Sequence, residues 1–178
     1  AMIPVRDIHR HSRYARNEAR ELLQSIFVAE LIRPSRELWL VSPWLNDIVV
    51  VEDTAGAFSA LLSGNDRVSL TLSAALVRIA EAGAFVHIVS RPGQSLDFLR
   101  ALGPHLVGSD AETRLRWKTV PTLHTKGLAG DDYRVMGSMN FTFNGIELND
   151  EAIQFDRDAN AVARVKLEFE QQYGGMDG

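Results

Sequence analysis

Two short apolar runs constrain the fold more than any other feature of the chain: "ELWLVSP" at 37–43 and "AFVHIVS" at 84–90. Each is apolar nearly throughout and too short for a core helix, so each reads as a buried strand. Pro43 ends the first, and the Arg91-Pro92-Gly93 turn ends the second. Between them, "TLSAALVRIAEA" at 71–82 reads as a helix, with Gly83 as its stop. Strands alternating with helices argue an α/β domain around a mixed sheet.

The rest of the chain agrees. Residues 15–33 place Leu22, Leu23, Ile26, Phe27 and Leu31 at helical spacing, and Pro34 stops that helix. Residues 47–53 read as a second strand or a loop edge. "SLDFLRAL" at 95–102 is expected to be a helix closed by Gly103-Pro104, and "RLRWKTV" at 114–120 a strand with one wet face. "LHTKGLA" and "YRVMGSM" flank Gly130-Asp131-Asp132 and predict a hairpin. "EAIQFD" at 151–156 predicts one more strand, and residues 159–173 the last helix. Internal repeats, low-complexity tracts and linkers are lacking, so 178 residues make one domain with a sizeable core.

Composition removes several classes of function. With no cysteine, a thiolate metal site, a thiol nucleophile and a disulfide framework are all excluded. No apolar run reaches the roughly 18 residues of a membrane span. The N-terminus has no apolar signal core, and Ala1 ahead of Met2 reads as an expression scar. The expected location is cytoplasmic. The net charge of −4 does not by itself point to nucleic acid. Arg6, Arg10, Arg13, Arg16 and Arg20 cluster near the N-terminus with His9 and His11. They read either as the solvated face of a helix or as an arm that touches phosphates.

One hairpin then concentrates the chemistry. On an ideal strand His124 and Lys126 share a face, and Ser138 and Asn140 share parity on the next strand and its exit. Gly137 permits close backbone approach there. An imidazole is a nucleophile or a general acid–base. An ammonium, a hydroxyl and a carboxamide donate to anionic oxygens. That set suits a phosphodiester and needs no metal. Glu151, heading the next strand, is the candidate carboxylate to hold the imidazole tautomer. Taken singly, each piece is ordinary: a structural histidine, a turn serine, a turn asparagine.

In that order, His124-x-Lys126, Asp131, Gly137-Ser138-x-Asn140 and Asn149-x-Glu151 resemble the phospholipase D superfamily, in its nuclease-like branch with a single motif per chain. The resemblance spans roughly residues 18–172. It implies a mixed β-sheet flanked by helices on both faces, filling one domain over 1–178 with an N-terminal arm at 1–15. It also implies phosphodiester hydrolysis through a covalent phosphohistidine, without metal or cofactor. By carry-over, His124 is the nucleophile, Lys126, Ser138 and Asn140 hold phosphate oxygens, and Glu151 orients a histidine. Asp131, in the hairpin turn, is expected to be structural.

The implied mechanism uses two histidines. His9, His11, His87 and His105 lack the Lys partner. A homodimer with its site on the two-fold axis is therefore expected, with Met136, Met139, Phe141 and Phe143 as candidates for an apolar interface, although Met136 reads more readily as core. Trp44, Arg91, Arg114, Arg116 and Lys118 are the candidate nucleic-acid contacts; Trp44 reads equally as a core or interface residue. A looser resemblance is to the phospholipase D-like protein of bacterial clusters that install deazapurines in DNA and restrict unmodified DNA. It implies a defence nuclease with protein partners. A nuclease is the leading expectation. A partner-dependent or non-catalytic subunit and a phospholipid hydrolase are the alternatives.

Overall fold

The computed structural model describes residues 6–9, 13–53, 56, 69–142 and 152–175, with side chains from residue 18 onward. Nine strands and four α-helices run in the order β1 (Arg6–His9), α1 (Arg13–Ile32), β2 (Glu37–Val41), β3 (Val49–Glu52), β4 (Ser69–Thr71), α2 (Leu72–Glu81), β5 (Phe85–Ser90), α3 (Leu96–Leu106), β6 (Leu115–Thr119), β7 (Gly127–Ala129), β8 (Arg134–Gly137), β9 (Ala152–Asp156) and α4 (Ala159–Phe169) among the described residues. Seven strands form one mixed sheet, ordered β1-β9-β8-β7-β2-β5-β6, and β3 pairs with β4 apart from it. β2, β5 and β6 are parallel, and the strands from β2 through β7, β8 and β9 to β1 are antiparallel.

The parallel half follows from the two apolar runs. On β2, Leu38 and Leu40 point to one face, and Trp39 and Val41 to the other; all four are buried. The first face carries the larger core, where α1 contributes Leu23 and Phe27 and α2 contributes Leu76 and Ile79. The second face is covered by α4 through Val165 and Phe169. Helices thus lie on both faces of the sheet, as the strand and helix alternation predicts.

Three boundaries differ from the sequence expectation. Arg6–His9, within the expected arm, pairs with β9 as an edge strand. α3 does not close at Gly103-Pro104 but runs to Leu106. Proline there forfeits a backbone hydrogen bond, yet Leu102 and Leu106, four apart, both stay against the core. β7 is only three residues long, so His124 and Lys126 precede the strand instead of lying within it.

Met139 and Phe141, expected at an interface, are 3% and 1% exposed and belong to the larger core. The loop after β8 folds inward, and a parallel bridge joins Phe141 to Leu45. Met136 is half-buried against the second core. Phe143 lies outside the described residues.

At one edge of the sheet a polar network closes the β7–β8 turn. Buried Glu30 accepts from Ser35 N at 2.7 Å and Ser35 Oγ at 2.6 Å. Ser35 Oγ accepts in turn from Asp131 N at 2.9 Å. The Asp131 carboxylate accepts from Arg36 N and Lys166 Nζ, each at 2.8 Å. Burial pushes its carboxyl up, but the Lys166 and Arg36 hydrogen bonds outweigh burial and hold it below its ordinary value.

His87 moves the same way by a different cause. Burial lowers it, and the opposing pull of Glu37 and Glu170 does not restore it. Its ring stacks on Trp39 at 4.1 Å, and its Nε2 has no hydrogen-bond partner among the described residues. Both groups are held below their unfolded values, so both contributions exist at neutral pH and vanish on acidification. The His87 part is lost as pH falls below its ordinary value of about 6.5, the Asp131 part below about 4. Urea midpoints should therefore fall from pH 7 to pH 5 and again toward pH 3. In His87→Phe the first fall should shrink while the second persists.

Candidate active site

The sheet register gathers the hairpin motif at a single edge. Gly127 pairs with Val41, the last residue of β2, and with Met136 near the end of β8. Val41 pairs with Val89 near the end of β5, and Gly137 with Ile153 near the start of β9. The segments just outside β2, β5, β7 and β8 therefore meet at the carboxyl ends of the parallel strands, where open α/β sheets form their ligand crevices. They carry Trp44, Arg91, His124 with Lys126, and Ser138 with Asn140.

His124 is exposed and Lys126 half-buried. Arg91 reaches the His124 ring: its Nη2 lies 3.0 Å from Nδ1 and 3.3 Å from Nε2. Arg91 Nε also donates to the Leu123 carbonyl at 2.7 Å. A guanidinium only donates, so the ring nitrogen it addresses must present a lone pair. Lys126 Nζ donates to the His124 carbonyl at 3.0 Å. Thr125 turns away toward the segment after α4, where its Oγ1 accepts from Tyr173 Oη at 3.3 Å. The alternation expected of a strand thus survives in the segment leading into β7.

Ser138 is locked to the start of β9. Its backbone N donates to the Ala152 carbonyl, and its Oγ accepts from Ala152 N, both at 3.1 Å. Gly137 makes this approach possible: a Cβ there would lie 2.0 Å from the Ala152 carbonyl oxygen. Gly137→Ala is expected to cost about 1–3 kcal/mol of stability, because backbone must move. It should also lower activity by about 10²-fold, since a shift near 1 Å misplaces Ser138. Denaturant titration and phosphodiester hydrolysis on one preparation check both.

Ser42, which sequence reasoning did not select, organises the loops here. It is fully buried. Its hydroxyl donates to the Trp44 carbonyl at 2.7 Å and accepts from Phe141 N at 3.2 Å. Asn140 Oδ1 lies 3.5 Å from the same hydroxyl, a packing contact more than a bond, since the single O–H is already committed. Gln94 was also missed. Its Oε1 accepts from Trp44 Nε1 at 2.6 Å. A serine ending a strand and a glutamine in a turn carry no distinguishing signal in a single sequence.

The other expected residues are placed elsewhere. Asp131 sits at the far end of the β7–β8 hairpin from His124, within the Glu30–Ser35 network. Arg114 lies just before β6, at that same far edge. It donates to the Gly83 carbonyl at 3.1 Å and lies over Phe85 at 5.4 Å. Arg116 pairs in register with His87, partway along the edge strand β6. Lys118 is nearer the site edge, but its Nζ donates to the Tyr173 carbonyl at 3.0 Å. Of the five candidate contacts, Arg91 touches His124, and Trp44 joins it through Arg91. Glu151 and Asn149 lie outside the described residues.

A cleft of about 1020 Å³ also lies at the far edge, between Glu30, Arg36, Asp132, Tyr133 and Arg157. It includes none of His124, Lys126, Ser138 and Asn140. The sheet register places His124, Lys126, Ser138 and Asn140 at the opposite end of the strands from this cleft.

A mixed sheet that brings His-x-Lys and Gly-Ser-x-Asn to one edge defines a phospholipase D-like domain. A family model described as "Cardiolipin synthase, PLD-like domain" matches residues 67–173. The chain belongs to this PLD-like family. Its fold is similar to that of NucT from Helicobacter pylori, with 14% identity, 96% of this chain and 95% of that chain covered, and a TM-score of 0.62. It is also similar to Nuc, a phospholipase D family member from Salmonella typhimurium, with 16% identity, 96% and 93% coverage, and a TM-score of 0.55. Polyphosphate kinase from Porphyromonas gingivalis shares the fold at 12% identity and a TM-score of 0.62, with 98% of this chain and 26% of that chain covered. No curated protein matches the sequence. Among the described residues, no helix is long and apolar enough to cross a membrane.

Proposed function

We propose that the chain is a metal-independent nuclease that cleaves phosphodiesters through a phosphohistidine at His124, acting as a homodimer. The observation that carries this reading is the meeting of His124, Lys126, Ser138 and Asn140 at one sheet edge, with Arg91 against the His124 ring.

The chemistry proceeds in two displacements. A His124 ring nitrogen attacks phosphorus and forms an N–P bond, while the bond to the leaving oxygen breaks. The His124 of a second copy supplies the proton that this oxygen needs. Water then attacks phosphorus, gives a proton back to that second histidine, and the N–P bond breaks. Lys126, Asn140 and Ser138 hold the non-bridging oxygens through both steps, which supplies the charge and orientation that a metal ion would otherwise provide. Glu151 orients an imidazole, and Asp131 serves the hairpin turn.

One His-x-Lys per chain supports the dimer, with its site on the two-fold axis. The similarity in fold to Nuc and NucT, two solved structures covered nearly end to end, supports nucleic acid as substrate. The net charge of −4 supports a further part of the reading: affinity for nucleic acid comes largely from basic side chains, so partner proteins of a DNA-restriction system help deliver the strand.

The test is cleavage of labelled single-stranded DNA, duplex DNA and RNA by the purified protein in EDTA. Cleavage of at least one strand type is expected to survive chelation. Activity that appears only when a divalent ion is restored would contradict the proposal.

A further inference from the structure

Trp44 is the largest aromatic side chain exposed near His124, at 36%. It is also held in place. Its Nε1 donates to Gln94 Oε1 at 2.6 Å, its carbonyl accepts from buried Ser42 Oγ at 2.7 Å, and the next residue donates from Leu45 N to Ser95 Oγ at 3.0 Å. The Arg91 guanidinium lies over the indole, 5.1 Å from its centroid. The turn that presents Arg91 and Gln94 together closes through Gly93, at φ +73°, a backbone conformation that suits glycine.

Arg91 therefore spans two partners, the indole on one side and the His124 ring on the other. A surface tryptophan fixed in one orientation loses little entropy when a flat ligand stacks on it. A guanidinium beside the nucleophile is the donor that a phosphate entering the site would take over from the ring. A planar group on Trp44 and a phosphate at His124 would be joined through a single arginine.

We propose that Trp44, Arg91 and Gln94 form a one-nucleotide subsite: a base stacks on Trp44, and Arg91 passes from the His124 ring to the phosphate of the same nucleotide. This inference rests on the nuclease reading and names its substrate class as single-stranded or locally unpaired nucleic acid. A base inside a duplex is stacked on both faces and must be pulled out before it reaches Trp44, which costs a few kcal/mol. Gln94 sets the indole plane and is a positioning residue.

The experiment compares binding of a labelled single-stranded oligonucleotide, its duplex, and a strand with one run of abasic sites. Each is measured in EDTA on the His124→Ala protein, with and without Trp44→Ala or Trp44→Phe. Oligomeric state is followed by light scattering. One stacked base is worth about tenfold or more in affinity. Trp44→Ala should weaken the single strand by about that factor, change the abasic strand little, and leave the oligomeric state intact. Trp44→Phe should recover most of the loss, and the duplex should bind more weakly than the single strand. Tight single-strand binding that ignores Trp44→Ala, or equal binding of the abasic strand, overturns the subsite while sparing the nuclease reading. A Trp44→Ala protein that loses strand binding only because the dimer dissociates overturns it as well, and makes Trp44 an interface residue. If no strand binds at all, the subsite is overturned, and cleavage in EDTA decides the nuclease reading separately.

Discussion

His124→Ala is expected to lower phosphodiester hydrolysis by about 10⁴-fold or more while leaving the fold intact. The size follows from removing the atom that forms the covalent bond, since deleting a nucleophile leaves only the catalysis due to binding and orientation. The fold should tolerate the change because His124 is exposed and lies outside any strand. Its ring contact is with Arg91, whose Nε stays tied to the Leu123 carbonyl. Circular dichroism and the urea midpoint of the variant should overlay those of the parent. A variant with parental structure and more than about a tenth of parental activity would mean that His124 is not the nucleophile.

Lys126→Met carries the second large effect. The substitution keeps the length of the side chain and removes its charge. Lys126 Nζ donates to the His124 carbonyl, a contact that a phosphate oxygen can replace without moving the backbone. Loss of one charged donor at the site of developing negative charge costs about 10²–10³ in turnover. The loss should appear in kcat more than in KM, because the ammonium matters most when charge builds on the phosphoryl oxygens. Steady-state kinetics on a short labelled strand separates the two constants. A rise in KM at unchanged kcat would assign Lys126 to strand binding alone.

Much of the fold was legible in the sequence where the determinants are local. The run at 84–90 and the helix at 71–82 were readable because each carries its own periodicity and its own stop, Gly83 and the Arg91-Pro92-Gly93 turn. The motif was readable because His124, Lys126, Ser138 and Asn140 flank one hairpin, whose ends a short turn must bring together. β4, only Ser69–Thr71, was not, because its last residue also opens the helical pattern of α2.

The misplaced expectations depend on long-range pairing. Arg114, Arg116 and Lys118 alternate along β6, and the pattern gives their face but not which end of the strand meets His124. The parallel register with β5 puts Arg114 at the far edge. Met139 and Phe141 follow a strand and looked surface-bound; the bridge from Phe141 to Leu45 folds them into the core. The Arg91–His124 contact joins residues 33 apart, and only the adjacency of β5, β2 and β7 makes it. Asp131 could be assigned to the turn, but the buried Glu30 and Ser35 that receive it come from the end of α1 and the loop after it.

The central claim is that His124 carries the phosphoryl group between the two displacements. The most direct measurement is a rapid acid-free denaturing quench of wild-type protein with a strand labelled on the fragment that keeps the phosphate, followed by peptide mapping. The account predicts a covalent adduct, stable to alkali and labile to acid as an N–P bond is, on the peptide that contains His124 and absent from His124→Ala. Cleavage of the strand with no adduct on that peptide, or with the adduct unchanged in His124→Ala, would contradict it.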